Sequence, residues 1–318
     1  MATFEPKLKM NLQHFATPDN VLLQDAVSGE IPTEQATLVL KEFMQNSAIA
    51  QLAQYEPMTK PKKKFTYLAE GPGAYWVSET ERIQTSKAQW LTAEMETKKL
   101  GVILPVSKEF YRYTVPQFFT EMKPAIAEAF NVAFDQAALF GVNSPYKAGT
   151  SVWERIQAAG NTVEINSLSS LYDELNGVMG LIEDGDGDPN GFTTIKKFRQ
   201  KLRGAKDANG DPIFNDARQG ATSQALGLPI GYADGKSWDQ TKAHVLSGDW
   251  KYARYGILQN IEYKISEDAT LTTITDETGE PFNLFERDMF ALRATMHVGF
   301  MTLKDDAFAA LTPVAPTI

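Results

Sequence analysis

The chain has 318 residues and no cysteine. That removes disulfides, thiolate nucleophiles and every cysteine-ligated zinc or iron–sulfur site. Histidine is nearly as scarce: His14, His244 and His297 are the whole supply, and no two stand at the i, i+4 spacing of a helical zinc pair. There is no G-x-S-x-G elbow for a serine nucleophile. No apolar run reaches the roughly 18 residues that read as a spanning helix, and the N-terminus lacks the apolar middle of a secretory signal. These absences predict a soluble intracellular product with little enzyme chemistry. Positive charge is short as well: 31 Lys and Arg against 40 Asp and Glu give −9. A protein whose main task is to coat nucleic acid needs the opposite balance, because such binding neutralises phosphates. What remains is an ordinary folded composition, 43% apolar and 22% charged, with room for one large or two ordinary domains.

Residues 1–31 are polar and interrupted by Pro18 and Gly29, and read as an N-terminal arm. From Pro32 to about Gln54, Leu38, Val39, Phe43, Met44, Ile49 and Leu52 recur at helical spacing, with a break near Ser47. Lys62, Lys63 and Lys64 then lead into Phe65, Tyr67 and Leu68, and Gly71-Pro72-Gly73 signals a turn. Trp76, Glu79, Lys87 and Trp90 follow, and a β-like run continues to Val106, so residues 62–107 read as a two-stranded arm. Residues 116–140 read as a helix with Pro116 at its start and Gly141 past its end. Phe118, Met122, Ile126, Phe130, Phe134 and Ala137 make its apolar stripe, and Pro124 inside it predicts a kink or a break. A second helix is expected through Leu168, Leu171, Leu175, Val178 and Ile182, then an acidic turn, a short basic helix from about Thr194 to Leu202, and a hairpin turn at Asn209-Gly210-Asp211-Pro212. Near the end, alternation at Ile261, Tyr263 and Ile265, and again from Leu292 to Phe300, reads as half-buried antiparallel strands. The fold class is α+β.

The arm has an awkward length. A globule of this size is about 50 Å across, and an unbroken strand from Lys87 to Ile103 would reach roughly 55 Å. An isolated ribbon of two strands is not stable in water, and Trp76 and Trp90 need a surface to cover. Either the strand breaks at Gly101 and folds back, or another copy of the chain supplies the cover.

The remaining motifs are weak. Asp184, Asp186 and Asp188 fall at positions 1, 3 and 5 of a calcium loop, but Pro189 takes the glycine position and Ile195 the place of the closing glutamate; a solvated acidic turn is expected. Gly231 to Ser237 mimics a phosphate loop one residue too short. Lys196, Lys197, Arg199, Lys201 and Arg203 form either a phosphate-contacting face or a solvated face opposite Ile195, Phe198 and Leu202. His297 reads as a surface or hydrogen-bonded structural histidine. No catalytic, cofactor-binding or metal-binding residue can be assigned.

Taken in order, these segments resemble the major capsid proteins of tailed bacteriophages, the Hong Kong 97-type shell fold. The likeness is carried by Trp76-Val77-Ser78-Glu79 with Ile83 and Ser86, by Lys99 to Glu109, by Asp135 to Gly141, by Gly248-Asp249-Trp250, and by Leu292 to Gly299 leading to Asp306-Ala307-Phe308. Within the family it is nearest to siphoviruses of Gram-positive hosts such as staphylococci. The resemblance implies an extended loop at 62–107 that lies over a neighbouring subunit. It implies a helical N-terminal segment at 32–61, a peripheral domain at 108–164 with a spine helix, an axial domain at 165–245, and peripheral return strands at 246–318. It implies pentamers and hexamers in an icosahedral virion shell around double-stranded DNA held without sequence specificity. A scaffolding protein, a portal protein and assembly in the host cytoplasm come with it; a membrane does not.

Leu8 to Ala16 further resembles the leader of a Gram-positive ribosomal protein, which a host cysteine protease removes; by that likeness the cut falls between Phe15 and Ala16. Some shells of this fold are stapled by Lys–Asn isopeptide bonds. Lys87 or Lys62–Lys64 would supply the amine here, but no partner asparagine is identifiable. An encapsulin-like compartment remains the alternative, and a carboxylate-based hydrolase a remote one.

Overall fold

The structure is a computed structural model that describes residues 47–70, 77, 79, 82, 89–109, 118–166, 170–205, 224–275 and 281–314. The expected hairpin turn at 209–212, the 1–31 arm, Phe15, Ala16, Gly71, Pro72, Gly73, Trp76, Lys87 and Leu168 lie outside the described residues. The chain divides into two compact units.

The larger unit begins at a short helix, α1 (Ala48–Leu52), whose N-cap is Ser47 in extended geometry. The expected break near Ser47 is thus a helix start, and the chain is extended again by β1 (Gln54–Tyr55). Helix α2 (Phe118–Phe140) is the unit's longest. Ile126, Phe130, Phe134 and Ala137 are all buried, as the three-and-four spacing requires. Phe134 meets Phe300 edge-on at 6.2 Å and Tyr255 at 6.3 Å. Of the kink or break expected at Pro124, the break does not occur, since α2 runs through it. Pro124 is exposed, so water can serve the carbonyl that its missing N–H abandons.

Gly141, with φ +68°, ends α2, a conformation that favours glycine. Helix α3 (Val152–Ala159) follows, opened by a capping box in which Ser151 and Glu154 satisfy each other's backbone N–H. Beyond it come β4 (Thr162–Glu164), α4 (Leu171–Glu183) and β5 (Gly191–Ile195). All five residues of β5 are buried. That corrects the expected basic helix: Thr194 and Ile195 belong to the strand. The helical turns begin at Lys196 and continue as α5 (Arg199–Gly204), with Phe198 and Leu202 buried beneath them.

With β6 (Gln224–Ala225), β7 (Leu228–Ala233), β8 (Val245–Gly248) and β13 (Phe308–Thr312), a six-stranded sheet forms in the order β4-β13-β8-β5-β7-β6. At its centre Trp250 is buried, and its Nε1 donates to the Gly191 carbonyl at 3.0 Å. Gly248 crosses so close to Phe308 that a Cβ there would lie 2.2 Å from the ring.

A second sheet joins β2 (Lys62–Glu70), β3 (Gln89–Ser107), β9 (Ala253–Ser266) and β12 (Met289–Thr302) to β1 in the order β1-β9-β12-β3-β2. Burial alternates along β9 and β12 at the residues whose sequence alternates. Strand β3 runs 19 residues straight through Gly101, so the fold-back at that glycine does not occur.

The described part of the smaller unit lies within 102–116 and 262–294. It holds β10 (Thr270–Thr275) against β11 (Pro281–Asn283), with a core of Leu271, Leu284 and Ala291. Lys108 Nζ reaches Glu267 at 2.8 Å and Asp288 at 3.3 Å, and the Lys108 N–H donates to the Asp288 carbonyl at 3.1 Å. One lysine thereby ties together the unit's two described segments.

Candidate assembly surface

The chain has an unbroken two-stranded ribbon in β2 and β3. They pair antiparallel from Lys62 opposite Glu96 to Glu70 opposite Gln89, with an irregularity between Leu68 and Glu70. At the root of the ribbon everything is fastened. Met95 is wholly buried with Met58, Met301 and Leu303. Glu56 sits between two cations, bonded to Lys63 at 2.9 Å and to Arg254. Both cations also lie over the Phe65 ring, at 5.2 and 5.1 Å. The alkyl stems and ring close over the methionines while the charges stay paired.

Cover ends within five residues. From Met95 at 0% exposed, the strand passes to Leu91 at 44% and Trp90 at 62%. In the single subunit both side chains keep a large part of their apolar surface exposed. Glu79, beyond the paired residues, is exposed too. Of the expected spine residues, Phe130 and Phe134 are core, Met122 is half-buried, and Phe118 opens the helix.

The sequence reading did not single out Asp135. Its carboxylate is fully buried on α2 and accepts from Ser47 Oγ at 2.6 Å, Ala48 N at 3.0 Å and Ile49 N at 3.5 Å. It therefore clasps the start of α1, at the point where the 46 upstream residues leave. Burial outweighs those donors and pushes its pKa up to about 6. The available signal was one acid on an otherwise apolar stripe, between Phe134 and Ala137. Glu56 was missed as well, because its partners are remote in sequence.

The weak motifs resolve into structural parts. Asp184 caps α4, and Asp188 reaches Lys251 at 3.4 Å. In the phosphate-loop mimic, Asp234 takes the needed amides itself: Oδ1 accepts from Lys236 N at 2.8 Å and the carbonyl from Ser237 N at 3.1 Å. His244 stacks on Phe198 at 6.1 Å, and burial and nearby Lys201 hold its pKa below the ordinary value. Among the described residues no three metal-ligating side chains gather, and no helix is long and apolar enough to cross a membrane.

The profile of the phage capsid family matches residues 29–312. The chain is 43% identical to the major capsid protein of Staphylococcus phage 80alpha, over 96% of this chain and 95% of that one. The chain belongs to the phage capsid family. It is a structural subunit, a major capsid protein that builds the icosahedral shell of a tailed phage and so a component of the virion. A probable major capsid protein of Mycobacterium phage D29 is 25% identical over 90% of the chain. The solved structure from Microbacterium phage Oxtober96 superposes with a TM-score of 0.74 at 28% identity, covering 84% of this capsid subunit and 91% of that chain. The fold is the Hong Kong 97-type fold of phage capsids.

Proposed function

We propose that the capsid subunit joins its neighbours through the 62–107 ribbon, laid over the adjacent copy so that Trp90 and Leu91 lose their exposed surface. The observation that carries this reading is the fall in cover from Met95 to Trp90 along a strand that never breaks. A rigid root with an uncovered apolar end suits a partner that arrives from outside, because burial of apolar area is the main driving force of association. In this reading 108–164 and 246–318 form the peripheral domain and 165–245 the axial domain around five-fold and six-fold positions. The subunit performs no catalysis. It assembles in the host cytoplasm with a scaffolding protein and a portal, and encloses double-stranded DNA without reading its sequence. The net charge of −9 suits that last role, since a wall that does not grip phosphate lets DNA pack and leave. A ribosomal-leader protease of the host cuts between Phe15 and Ala16. The encapsulin-like and hydrolase readings gain no support from the relatives named above.

The test is a double substitution, Trp90→Ser with Leu91→Ser, in the full chain. Both side chains are exposed, so circular dichroism and the melting temperature should stay near wild type. Particles seen by negative-stain microscopy should disappear. Normal particles from the double variant would remove the ribbon from the contact.

A further inference from the structure

Charge is unevenly spread along the chain. Residues 190–248 hold nine Lys and Arg against five Asp and Glu, whereas the rest of the chain holds 22 against 35. The excess gathers on the turns from Lys196 to the end of α5, where no acid occurs between Asn190 and Lys206. Lys196, Lys197, Lys201 and Arg203 are exposed there, while Phe198 and Leu202 are buried beneath them. The Arg199 guanidinium packs 3.8 Å from the centre of the Tyr232 ring and fixes the same turns from the side. The cations therefore stand on a rigid support. Not all of them are free. Lys196 and Arg199 border a cleft that Glu128 and Asp234 also line, so their charge is answered locally. Lys197, Lys201 and Arg203 do not line it, and among the described residues none of the three has an ion-pair partner.

The partner that answers these cations is marked by what their surroundings lack. A protein partner needs an apolar or aromatic anchor at the centre of its contact. Between Tyr172 and Ile274 no large apolar side chain of the described residues is exposed. Phosphate needs no anchor: Lys and Arg contact it by charge, and such contacts carry no sequence information. Lys197 and Lys201 stand one helical turn apart, about 6 Å, close enough to take neighbouring phosphates of one backbone. We infer that Lys197, Lys201 and Arg203 form a phosphate-contacting patch for double-stranded DNA. The inference rests on the reading that the shell encloses DNA, and adds where its wall touches the duplex. Three contacts per copy are weak, and the acidic remainder of the subunit repels the duplex, so DNA still packs and leaves. Repetition over many copies gives the contact its weight.

Fluorescence anisotropy tests the inference, with full-length unassembled subunits titrated onto a labelled DNA duplex at low salt. Lys197→Glu/Lys201→Glu/Arg203→Glu should weaken binding roughly tenfold or more. It should also flatten the slope of log affinity against log salt by about one for each side chain changed. Two duplexes of unrelated sequence should bind alike. A control of equal charge, Lys60→Glu/Lys147→Glu/Lys264→Glu at exposed lysines elsewhere, should keep most of the affinity. Equal loss in both variants would make net charge the cause and overturn the patch. Unchanged binding by the patch variant, or no binding by wild type, overturns it as well. If the triple variant does not fold, Lys201→Gln and Arg203→Gln are measured singly: a salt slope lowered by about one in each upholds the inference, and an unchanged slope overturns it. Nuclease-protected DNA in purified particles tests the enclosing reading separately, since it persists when the patch is wrong.

Discussion

At the scale of single residues, Asp135 is the group most out of place: an acid wholly inside an apolar helix face, held by a hydroxyl and two backbone N–H donors. Burial is the first cause of its shift and drives the pKa up to about 6; the nearby Asp234 adds to it, while the three donors oppose it. An unfolded aspartate titrates near 3.9. The folded chain therefore binds the extra proton between about pH 4 and 6. The stability linked to it is complete below pH 4 and is lost as pH rises through 6, by something on the order of 3 kcal/mol. Asp135→Asn keeps an acceptor for the α1 amides but cannot ionise. Melting temperatures of the unassembled subunit should fall between pH 4 and 7 in wild type more steeply than in Asp135→Asn. Parallel curves would show that another group sets the slope. Gly248 makes the steric counterpart. A methyl group there meets the Phe308 ring at 2.2 Å, so Gly248→Ala should cost about 1–3 kcal/mol by overpacking, read as a lower urea midpoint.

At the scale of elements, legibility follows periodicity. Helix α2, β9 over 260–265 and β12 over 292–298 have one face inside and one outside, so the 3.6 and 2.0 repeats are written in their residues. Strand β5 is buried on both faces and is five residues long. Gly191 to Ile195 therefore carries no alternation, and the basic run after it drew the helix two residues too early. The capping box before α3 was legible, as Ser151 and Glu154 three apart, but went unread. The Asp135 clasp was not legible: it depends on residues dozens of positions apart meeting on one helix. Pro124 is the opposite case, a strong local rule that here does not break the helix. The helix survives it because the site is exposed, so the penalty should still be present and removable. Pro124→Ala is expected to stabilise the subunit by about 1–3 kcal/mol, seen as a higher melting temperature. A lower one would mean that the proline ring contributes packing worth more than the lost hydrogen bond.

At the scale of the whole molecule, the question is how copies that each carry −9 come to lie side by side. Like charges repel over a screening length of about 10 Å at 0.1 M salt and about 3 Å at 1 M. Burial of Trp90, Leu91 and whatever surface they meet has no such dependence, and strengthens slightly with excluded salts. The two forces therefore separate along one axis. If apolar burial drives association and net charge opposes it, raising sodium chloride from low to high concentration should speed particle formation and lower the protein concentration it requires, as light scattering would record. The Trp90→Ser/Leu91→Ser variant should stay unassembled at every salt level, since screening removes a repulsion without restoring a contact. The ribbon also offers the rival explanation, because Lys62, Lys63 and Lys64 at its root face a protein rich in carboxylates. Were those lysines the principal glue, salt would dissolve particles instead of promoting them. The pairs already made within the subunit, Lys62 with Glu94 at 3.3 Å and Lys63 with Glu56 at 2.9 Å, leave less free charge for that purpose, which favours the apolar account.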